Sequence, residues 1–193
     1  MPGVRGDGTM SANGPVRRAK ATSSEWETPW PLFRAIDQEF RFTLDAAASE
    51  SNRKCERYLT VEEDALKAAI ADETVWVNPP YGNLKEWITK FAEWSLRGST
   101  VVALLPANTD TEWFRSAWFW AHEIRFLVGR VNFVGSRNGN TGGSMVVVWR
   151  PQPLFLVPGG IEESASEFTP PRVLLWNWRE DVRVKAYSVG AAS

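Results

Sequence analysis

Four consecutive residues, Asn78-Pro79-Pro80-Tyr81, place hydrogen-bond acceptors beside an aromatic ring directly after a short apolar run. The β-branched and aromatic run predicts a buried strand, and the double proline predicts that the strand stops there. Because neither proline has an N–H and Pro80 disfavours a helical conformation at Pro79, the carbonyls of Asn78 and Pro79 stay available as acceptors. The Asn78 side chain adds another oxygen, and Tyr81 adds a flat ring. Fixed acceptors beside a stacking surface suit a ligand with a planar –NH2 group.

Such a turn has a definite chemical use. The exocyclic nitrogen of adenine is a poor nucleophile because its lone pair is conjugated with the ring. Two acceptors, one on each hydrogen, favour a pyramidal nitrogen whose lone pair points out of the ring plane. A methyl donor placed there can be attacked in line, and positioning and preorganised dipoles supply most of the acceleration. The alternative is a plain turn after a strand, but its position between a strand and a helix favours the functional interpretation.

The elements that must position this turn alternate between strand and helix in the middle of the chain. This alternation indicates βαβ units and a mainly parallel sheet, for which we expect helices on both faces. The Gly-rich connection at residues 139–143 predicts an antiparallel hairpin at one edge of the sheet. The sequence predicts strands at 40–44, 74–77, 100–105, 123–128, 131–134, 145–149 and 172–176. It predicts helices that begin at Thr28-Pro29, cover 64–71 and 111–121, or begin at Leu84 and end near Gly98.

Length and composition indicate one domain. A chain of 193 residues with 44% hydrophobic residues can form a sizeable core. Residues 1–24 are rich in Gly, Ser, Ala and basic residues without periodicity, which predicts a disordered basic tail. We therefore expect a single domain at 25–186 and a short C-terminal tail at 187–193.

The charge and the rare residue types exclude several classes of protein. The net charge of −1 predicts no global positive field, so contacts with phosphates must come from local clusters. The single Cys55 excludes an internal disulfide framework, and the single His122 excludes the common zinc spacings. No membrane span or signal peptide is visible, so we expect a cytoplasmic protein. The candidate phosphate contacts are Arg17, Arg18, Lys20, Arg125, Arg130 and Arg137.

Two acidic residues are candidates for ligand binding beside the Asn78 turn. In an open α/β sheet, ligands bind outside the carboxyl ends of the strands. Asp45 and Asn78 each close a predicted strand, so both could face one crevice. The Asp45 carboxylate could hold a ligand amine or hydroxyl, and it could equally be a turn cap. Asp64 precedes Ala65-Leu66, and an ordinary helix N-cap is its simplest interpretation.

Several segments together resemble the phage-type DNA adenine methyltransferases, which are small enzymes dependent on S-adenosylmethionine. The resemblance covers about residues 25–150, and the order and spacing of its pieces carry it. These pieces are Trp26-Glu27-Thr28-Pro29, Phe42-Thr43-Leu44-Asp45-Ala46-Ala47-Ala48, Asp64-Ala65-Leu66, Asn78-Pro79-Pro80-Tyr81, residues 104–111, Gly129-Arg130-Val131-Asn132-Phe133 and Gly143-Ser144-Met145.

The resemblance implies a Rossmann-like methyltransferase fold that binds the methyl donor over the ends of the first strands. By the family pattern, Thr28 and Pro29 flank the methionine end of S-adenosylmethionine, Asp45 meets its amino group, and Asp64 meets its adenosine. The turn after the first strand, Ala46-Ala47, still lets a ligand approach. Many methyltransferases have Gly-x-Gly there, and this chain has no glycine. An acidic partner for the ribose is not obvious, with Glu50 and Glu56 as candidates.

For the second substrate, the resemblance implies a DNA adenine that is flipped out of the duplex. Asn78, Pro79 and Tyr81 would hold it, with Pro80 completing the turn and Tyr81 stacking on the base. About 33 residues separate Asp45 from Asn78, too few for an inserted recognition domain. We expect the duplex to be contacted by Arg130 and by the loop 134–143, which contains Arg137, Asn138 and Asn140, because Arg and Asn suit base edges.

Other acceptors and other roles remain open on the sequence. The same turn serves methyltransferases that act on glutamine amides in proteins, although these usually keep the glycine-rich first turn. RNA adenine is a further possible acceptor. A protein of a different class, a DNA-binding protein that has lost turnover, would have no need of Asn78 and Tyr81. No metal is required, because methyl transfer from a sulfonium needs no Lewis acid. If the chain is phage-encoded, it would act in the cytoplasm of a bacterial host, protecting phage DNA from nucleases in a restriction-modification setting.

Overall fold

The computed structural model of this protein describes residues 26–135, 142–151, 169–180 and, for the backbone alone, 182–185. The two predicted tails, at 1–24 and 187–193, fall outside this range. So do Arg137, Asn138 and Asn140 of the predicted DNA-reading loop.

Seven strands and three α-helices form within the described residues. They are α1 (Trp30–Phe40), β1 (Leu44–Asp45), β2 (Thr74–Val77), α2 (Leu84–Leu96), β3 (Thr100–Pro106), α3 (Glu112–Trp120), β4 (Glu123–Leu127), β5 (Ser144–Trp149), β6 (Arg172–Asn177) and β7 (Val182–Lys185). A short 3-10 turn, Tyr81–Asn83, leads from the Asn78 turn into α2. Most predicted elements are confirmed, including the strand at 172–176.

The strands form one mixed sheet in the order β1-β2-β3-β5-β4-β6-β7. Neighbours β1, β2 and β3 are parallel, as are β4 and β6, whereas β5 is antiparallel to β3 and β4 and β7 is antiparallel to β6. Five of the seven strands therefore run in one direction, which agrees with the predicted α/β class.

The predicted edge hairpin is wrong in its location. All six residues of β5 are buried, and the strand lies between β3 and β4 in the interior of the sheet. A continuous apolar run suits a strand that is covered on both faces. An antiparallel pair does close one edge, but β6 and β7 form it.

Helices cover both faces of the sheet, as predicted. On β3, Val102 and Leu104 face one core with α1, while Val101, Ala103 and Leu105 face the other core with α2 and α3. This alternation follows from the period of two residues in a strand. The central strands therefore pack against helices on both faces, and this packing also fixes the positions of the residues at the ends of the strands.

The predicted strand at 40–44 is mostly absent, because α1 continues through Phe40. The helix ends at Arg41, which has a left-handed φ of 55°, and the Asp37 carboxylate accepts a 2.8 Å hydrogen bond from the Phe42 N–H. Phe40 and Phe42 alternate in sequence, yet their rings stack on each other in one core. Only Leu44 and Asp45 pair as a strand.

Three other sequence predictions differ from the structure. Residues 64–71 form turns and no helix, because Asp64 has a left-handed φ of 49° that interrupts helix propagation. Residues 131–134 form no strand, since Val134 alone makes a bridge, to Glu27. The predicted cap of α1 also moves by one residue: Pro29 is the N-cap, and no side chain caps the helix.

Within the described residues, no helix is long and apolar enough to cross a membrane.

Candidate active site

Two adjacent parallel strands bring Asp45 and Asn78 to the same edge of the sheet. Asp45 of β1 pairs with Trp76 of β2, and Asn78 follows the end of β2. Both residues line one small recess of about 20 Å³, roughly the space for one water molecule or one ammonium group. The sequence expectation that they face one crevice agrees with this geometry.

A much larger open cleft of about 1070 Å³ adjoins this recess. That volume is at the upper end of ordinary small-ligand sites, roughly 300–1,000 Å³. Glu27, Ala47, Asn52 and Asn78 line both cavities, so the two meet at Asn78. The wider cleft is otherwise lined by residues 46–51, 60–62 and 64–66, together with Pro80, Asn83, Trp87, Val134 and Gly135.

Asp45 is a buried carboxylate at the base of the recess. Its Oδ2 accepts a 2.9 Å hydrogen bond from the Lys54 N–H, and its Oδ1 accepts one of 3.3 Å from the Ala47 N–H. Burial raises the pKa of Asp45 to about 6, although these two N–H groups and the Lys54 ammonium act in the opposite direction. A ligand cation that reached this carboxylate would stabilise its charged form.

Thr28 contributes a hydroxyl without a partner to the same recess. The residue is 2% exposed, and its Oγ1 has no hydrogen-bond partner within the described residues. A buried polar group left unpaired costs about 1–3 kcal/mol. A ligand donor or acceptor in the recess would remove that cost.

Lys54 and Glu27 form an ion pair that the sequence did not indicate. The Lys54 Nζ lies 2.7 Å from Glu27 Oε1 and 4.3 Å from the centroid of the Trp30 ring. The Lys54 side chain is 2% exposed. In the sequence Lys54 is one cation in a polar stretch, and no spacing rule connects it to Glu27.

The amide of Asn78 is oriented by its neighbours. Its Nδ2 donates a 2.8 Å hydrogen bond to the Trp26 carbonyl, which can only accept. Its Oδ1 accepts a longer one, 3.4 Å, from the Tyr81 hydroxyl. The oxygen is therefore the acceptor end of the amide at the junction of the two cavities. Pro79 is buried, and the exposed Pro80 lines the cleft.

Tyr81 lies outside the cleft wall in this structure. Its ring packs against the core on the α2 face, and its hydroxyl also lies 3.5 Å from the Leu104 carbonyl. Burial raises the pKa of the phenol. In this arrangement Tyr81 supports Asn78, and stacking on a base would require its ring to move.

Of the other residues predicted to bind the donor, some line the cleft and others line neither cavity. Asp64 lines the cleft with its carboxylate 2.8 Å from the Lys67 Nζ, a contact that lowers the pKa of Asp64. Ala46 and Ala47 also line it, as does the exposed Glu50. Pro29 caps α1 and lines neither cavity; nor does Glu56.

Of the candidate phosphate contacts, the structure describes Arg125 and Arg130, and it places them differently. Arg130 is exposed, in the loop 128–135 that borders the cleft. Arg125 is 1% exposed and paired with Glu39 and Glu123, so it is a buried structural cation and the surface prediction for it is wrong. The described residues contain no cluster of three or more His, Cys, Asp or Glu that could hold a metal ion.

Comparison with known proteins decides the family. The family model for DNA N-6-adenine-methyltransferase (Dam) matches residues 16–163. This chain belongs to the DNA N-6-adenine-methyltransferase family. The resemblance inferred from the sequence over residues 25–150 is thereby confirmed. The match includes every residue that lines the recess and the cleft, while β6 and β7 lie beyond it.

Relatives of this adenine methyltransferase family come from phages and a bacterium. The chain is 32% identical over 142 residues to the DNA N-6-adenine-methyltransferase of Haemophilus phage HP1, covering 69% of this chain and 82% of that protein. It is 29% identical over 162 residues to the enzyme of the same name from Escherichia phage T1, covering 69% and 68%. It is also 33% identical over 76 residues to the putative methyltransferase YfdM of Escherichia coli, covering 36% and 84%.

Proposed function

We propose that this family member transfers a methyl group from S-adenosylmethionine to the N6 amine of an adenine flipped out of duplex DNA. The observation that carries the proposal is the meeting of two cavities at Asn78: a small acidic recess and an open cleft with room for more than one nucleoside. The recess suits the amino end of the donor. The cleft suits its adenosine and the target base.

The charges around the recess fit the amino-acid end of S-adenosylmethionine. Asp45 and Glu27 are two carboxylates beside one ammonium, that of Lys54, which leaves one unit of negative charge. The donor carries positive charge on its amino group and its sulfonium and negative charge on its carboxylate, so it has one net positive charge, and its amino group is the part that suits the acidic side chains. Asp45 and the unpaired Thr28 hydroxyl would hold the amino group, and Asp64 and Glu50 in the cleft would meet the adenosine.

Asn78 and Pro79 would prepare the target amine. The Asn78 Oδ1 and the Pro79 carbonyl would each accept one N6 hydrogen, which favours a pyramidal nitrogen with its lone pair toward the donor. When bound, S-adenosylmethionine would supply an electrophilic methyl group: the N–C bond to N6 would form as the sulfonium C–S bond breaks to leave a neutral thioether, and one N6 proton would pass to solvent water. The Trp26 carbonyl keeps the Asn78 oxygen in the accepting position throughout.

The sheet supports a Rossmann-like methyltransferase fold for this function. Five strands run in one direction, helices cover both faces, and both cavities lie beyond the carboxyl ends of β1 and β2. Doubly wound α/β proteins bind ligands at this edge. Arg130, exposed on a loop whose last residues line the cleft, and the following loop residues would contact the duplex.

The test is incubation of the purified protein with unmethylated genomic DNA and S-adenosylmethionine, followed by mass spectrometry of the nucleosides. We expect new N6-methyladenine, and sequencing of the same DNA would then locate its site. Binding of the donor with no methylated base would overturn the proposal in favour of RNA adenine or protein glutamine as acceptor. Neither binding nor transfer would indicate an inactive DNA-binding protein.

Two substitutions of Tyr81 test the contribution of its hydroxyl and the contribution of its ring separately. We expect Tyr81→Phe to change kcat by less than about 3-fold, since its hydrogen bonds of 3.4 and 3.5 Å are long and weak. Tyr81→Ala should lower turnover on duplex DNA by roughly 5- to 150-fold, because base–aromatic stacking contributes about 1–3 kcal/mol. Single-turnover kinetics on a duplex oligonucleotide measure both effects. Unchanged kinetics of Tyr81→Ala would argue against stacking on the base.

A further inference from the structure

We propose that the loop 128–135, held by Arg179, positions the Asn78 amide through the main-chain carbonyl of Trp26. This loop is here called the support loop. The inference rests on the proposed function for its effect on catalysis. It assigns to residues outside both cavities a role in orienting the group that would accept a hydrogen bond from the target amine.

The first link is the hydrogen bond from Asn78 Nδ2 to the Trp26 carbonyl. It is 2.8 Å long and joins residues 52 positions apart in the chain. Among the described residues, the other hydrogen bond of the Asn78 amide is the 3.4 Å bond from the Tyr81 hydroxyl, which is weaker. The orientation of the Asn78 side-chain amide, and hence the position of its oxygen, therefore depends chiefly on the position of the Trp26 carbonyl.

The second link fixes Trp26 to the support loop. The rings of Trp26 and Phe133 stack with centroids 5.6 Å apart and an interplanar angle of 26°. The next residues, Glu27 and Val134, exchange two main-chain hydrogen bonds of 3.3 and 3.0 Å. Phe133 is 3% exposed in the core that α1 shares with the sheet, so this attachment is anchored in the interior.

The third link holds the support loop at its other end. Arg179, in the turn after β6, donates 3.2 and 2.7 Å hydrogen bonds to the carbonyls of Val128 and Arg130. Its guanidinium lies over the Trp178 ring, 4.4 Å from the centroid. Between the two carbonyls, Gly129 has a φ of 78°, and a Cβ there would lie 2.9 Å from the Arg179 Nη1. The left-handed φ favours glycine at this position, and the absence of a Cβ leaves the guanidinium its place beside the loop.

These links form a continuous path from an exposed arginine to the reacting centre. Arg179 holds the carbonyls of the support loop, the loop holds Trp26 by ring stacking and backbone pairing, and Trp26 holds Asn78. Because a displacement of about 1 Å in a positioned group can cost roughly 100-fold in rate, a small movement of this loop is sufficient to affect methyl transfer. Arg179 and Phe133 are positioning residues in this proposal.

The test uses Arg179→Ala and Phe133→Leu, each with a matched control. Arg115→Ala removes another exposed arginine, on α3, and Phe40→Leu breaks another stacked pair in the same core. The side-chain amide signals of Asn78 in an ¹⁵N–¹H spectrum are assigned by their loss in Asn78→Ala. Single-turnover rates, the Kd for S-adenosylmethionine by calorimetry and the Tm are measured for all variants.

We expect both test variants to shift the Asn78 amide signals and to lower kcat by about 10-fold or more, with a smaller change in donor Kd. Arg179→Lys, which can still donate to one carbonyl, should recover part of the rate. The control variants should leave the chemical shifts of the Asn78 amide and the value of kcat unchanged.

Unmoved Asn78 signals in Arg179→Ala would overturn the proposal, as would an unchanged kcat when the signals do move. If Phe133→Leu fails to fold, Arg179→Ala decides, because Arg179 is exposed and the Tm shows directly whether this variant folds. A wild-type protein that transfers no methyl group would refute the proposed function. The amide signals would still show whether the support loop orients Asn78.

Discussion

Asn78→Ala is expected to lower kcat for methyl transfer to adenine by about 10²–10³-fold, the cost of removing one preorganised group at a reacting centre. The substitution removes the Oδ1 acceptor at the junction of the recess and the cleft, and with it the link to the Trp26 carbonyl. Radiolabel transfer to a duplex oligonucleotide measures the effect, with kcat from the steady state and the rate constant of methyl transfer from single turnovers.

Donor binding should be largely retained in Asn78→Ala, because the charged groups of the recess are Asp45, Glu27 and Lys54. Calorimetry with S-adenosylmethionine checks this. Gln38→Ala is the control, since it removes another side-chain amide from an exposed position on α1. A kcat for Asn78→Ala close to that of the wild type would contradict the role given to Asn78.

Asp45→Ala is expected to raise the Kd for S-adenosylmethionine by roughly 10- to 100-fold. A hydrogen bond to a charged group contributes about 1.5–3 kcal/mol, and each 1.4 kcal/mol is about tenfold in Kd. Because the substitution also leaves the Lys54 and Ala47 N–H groups without this acceptor, Asp45→Asn is a second variant that keeps the shape. Asp110→Ala, at an exposed loop carboxylate, is the control. An unchanged Kd in both Asp45 variants would move the donor site elsewhere.

The affinity of the wild type for the donor should also depend on pH in a direction set by Asp45. Burial raises the pKa of this carboxyl to about 6, and only the ionised form attracts the donor amino group. Affinity should therefore be high above pH 6 and fall as the pH drops through about 6. In Asp45→Asn this part of the pH dependence should disappear. Calorimetric titrations at pH 5, 6, 7 and 8 would show it, and an equally steep fall in Asp45→Asn would assign it to another group.

Local pattern was sufficient to predict the elements that carry the Asn78 turn. The apolar run at 74–77, the double proline and the helical spacing from Leu84 predicted β2 with its observed bounds, the turn, and α2 from its observed first residue, because each signal lies within a few residues of chain. The alternation of apolar and polar residues gave wrong strand predictions at two places where it had another cause. Phe40 and Phe42 alternate because they stack on each other at a helix end, and Val131 and Phe133 do so because both enter one core.

By itself, the sequence predicted the α/β class, the Asn78 turn as the candidate site for the target amine, and Asp45 as its acidic neighbour, since these follow from residue type and short spacing. Only the tertiary structure decided that β5 lies inside the sheet, that Lys54 pairs with Glu27 and that the Trp26 carbonyl holds Asn78. Those facts depend on contacts between segments far apart in the chain. Such contacts are selected by the packing of the whole core, and no local pattern of residues specifies them.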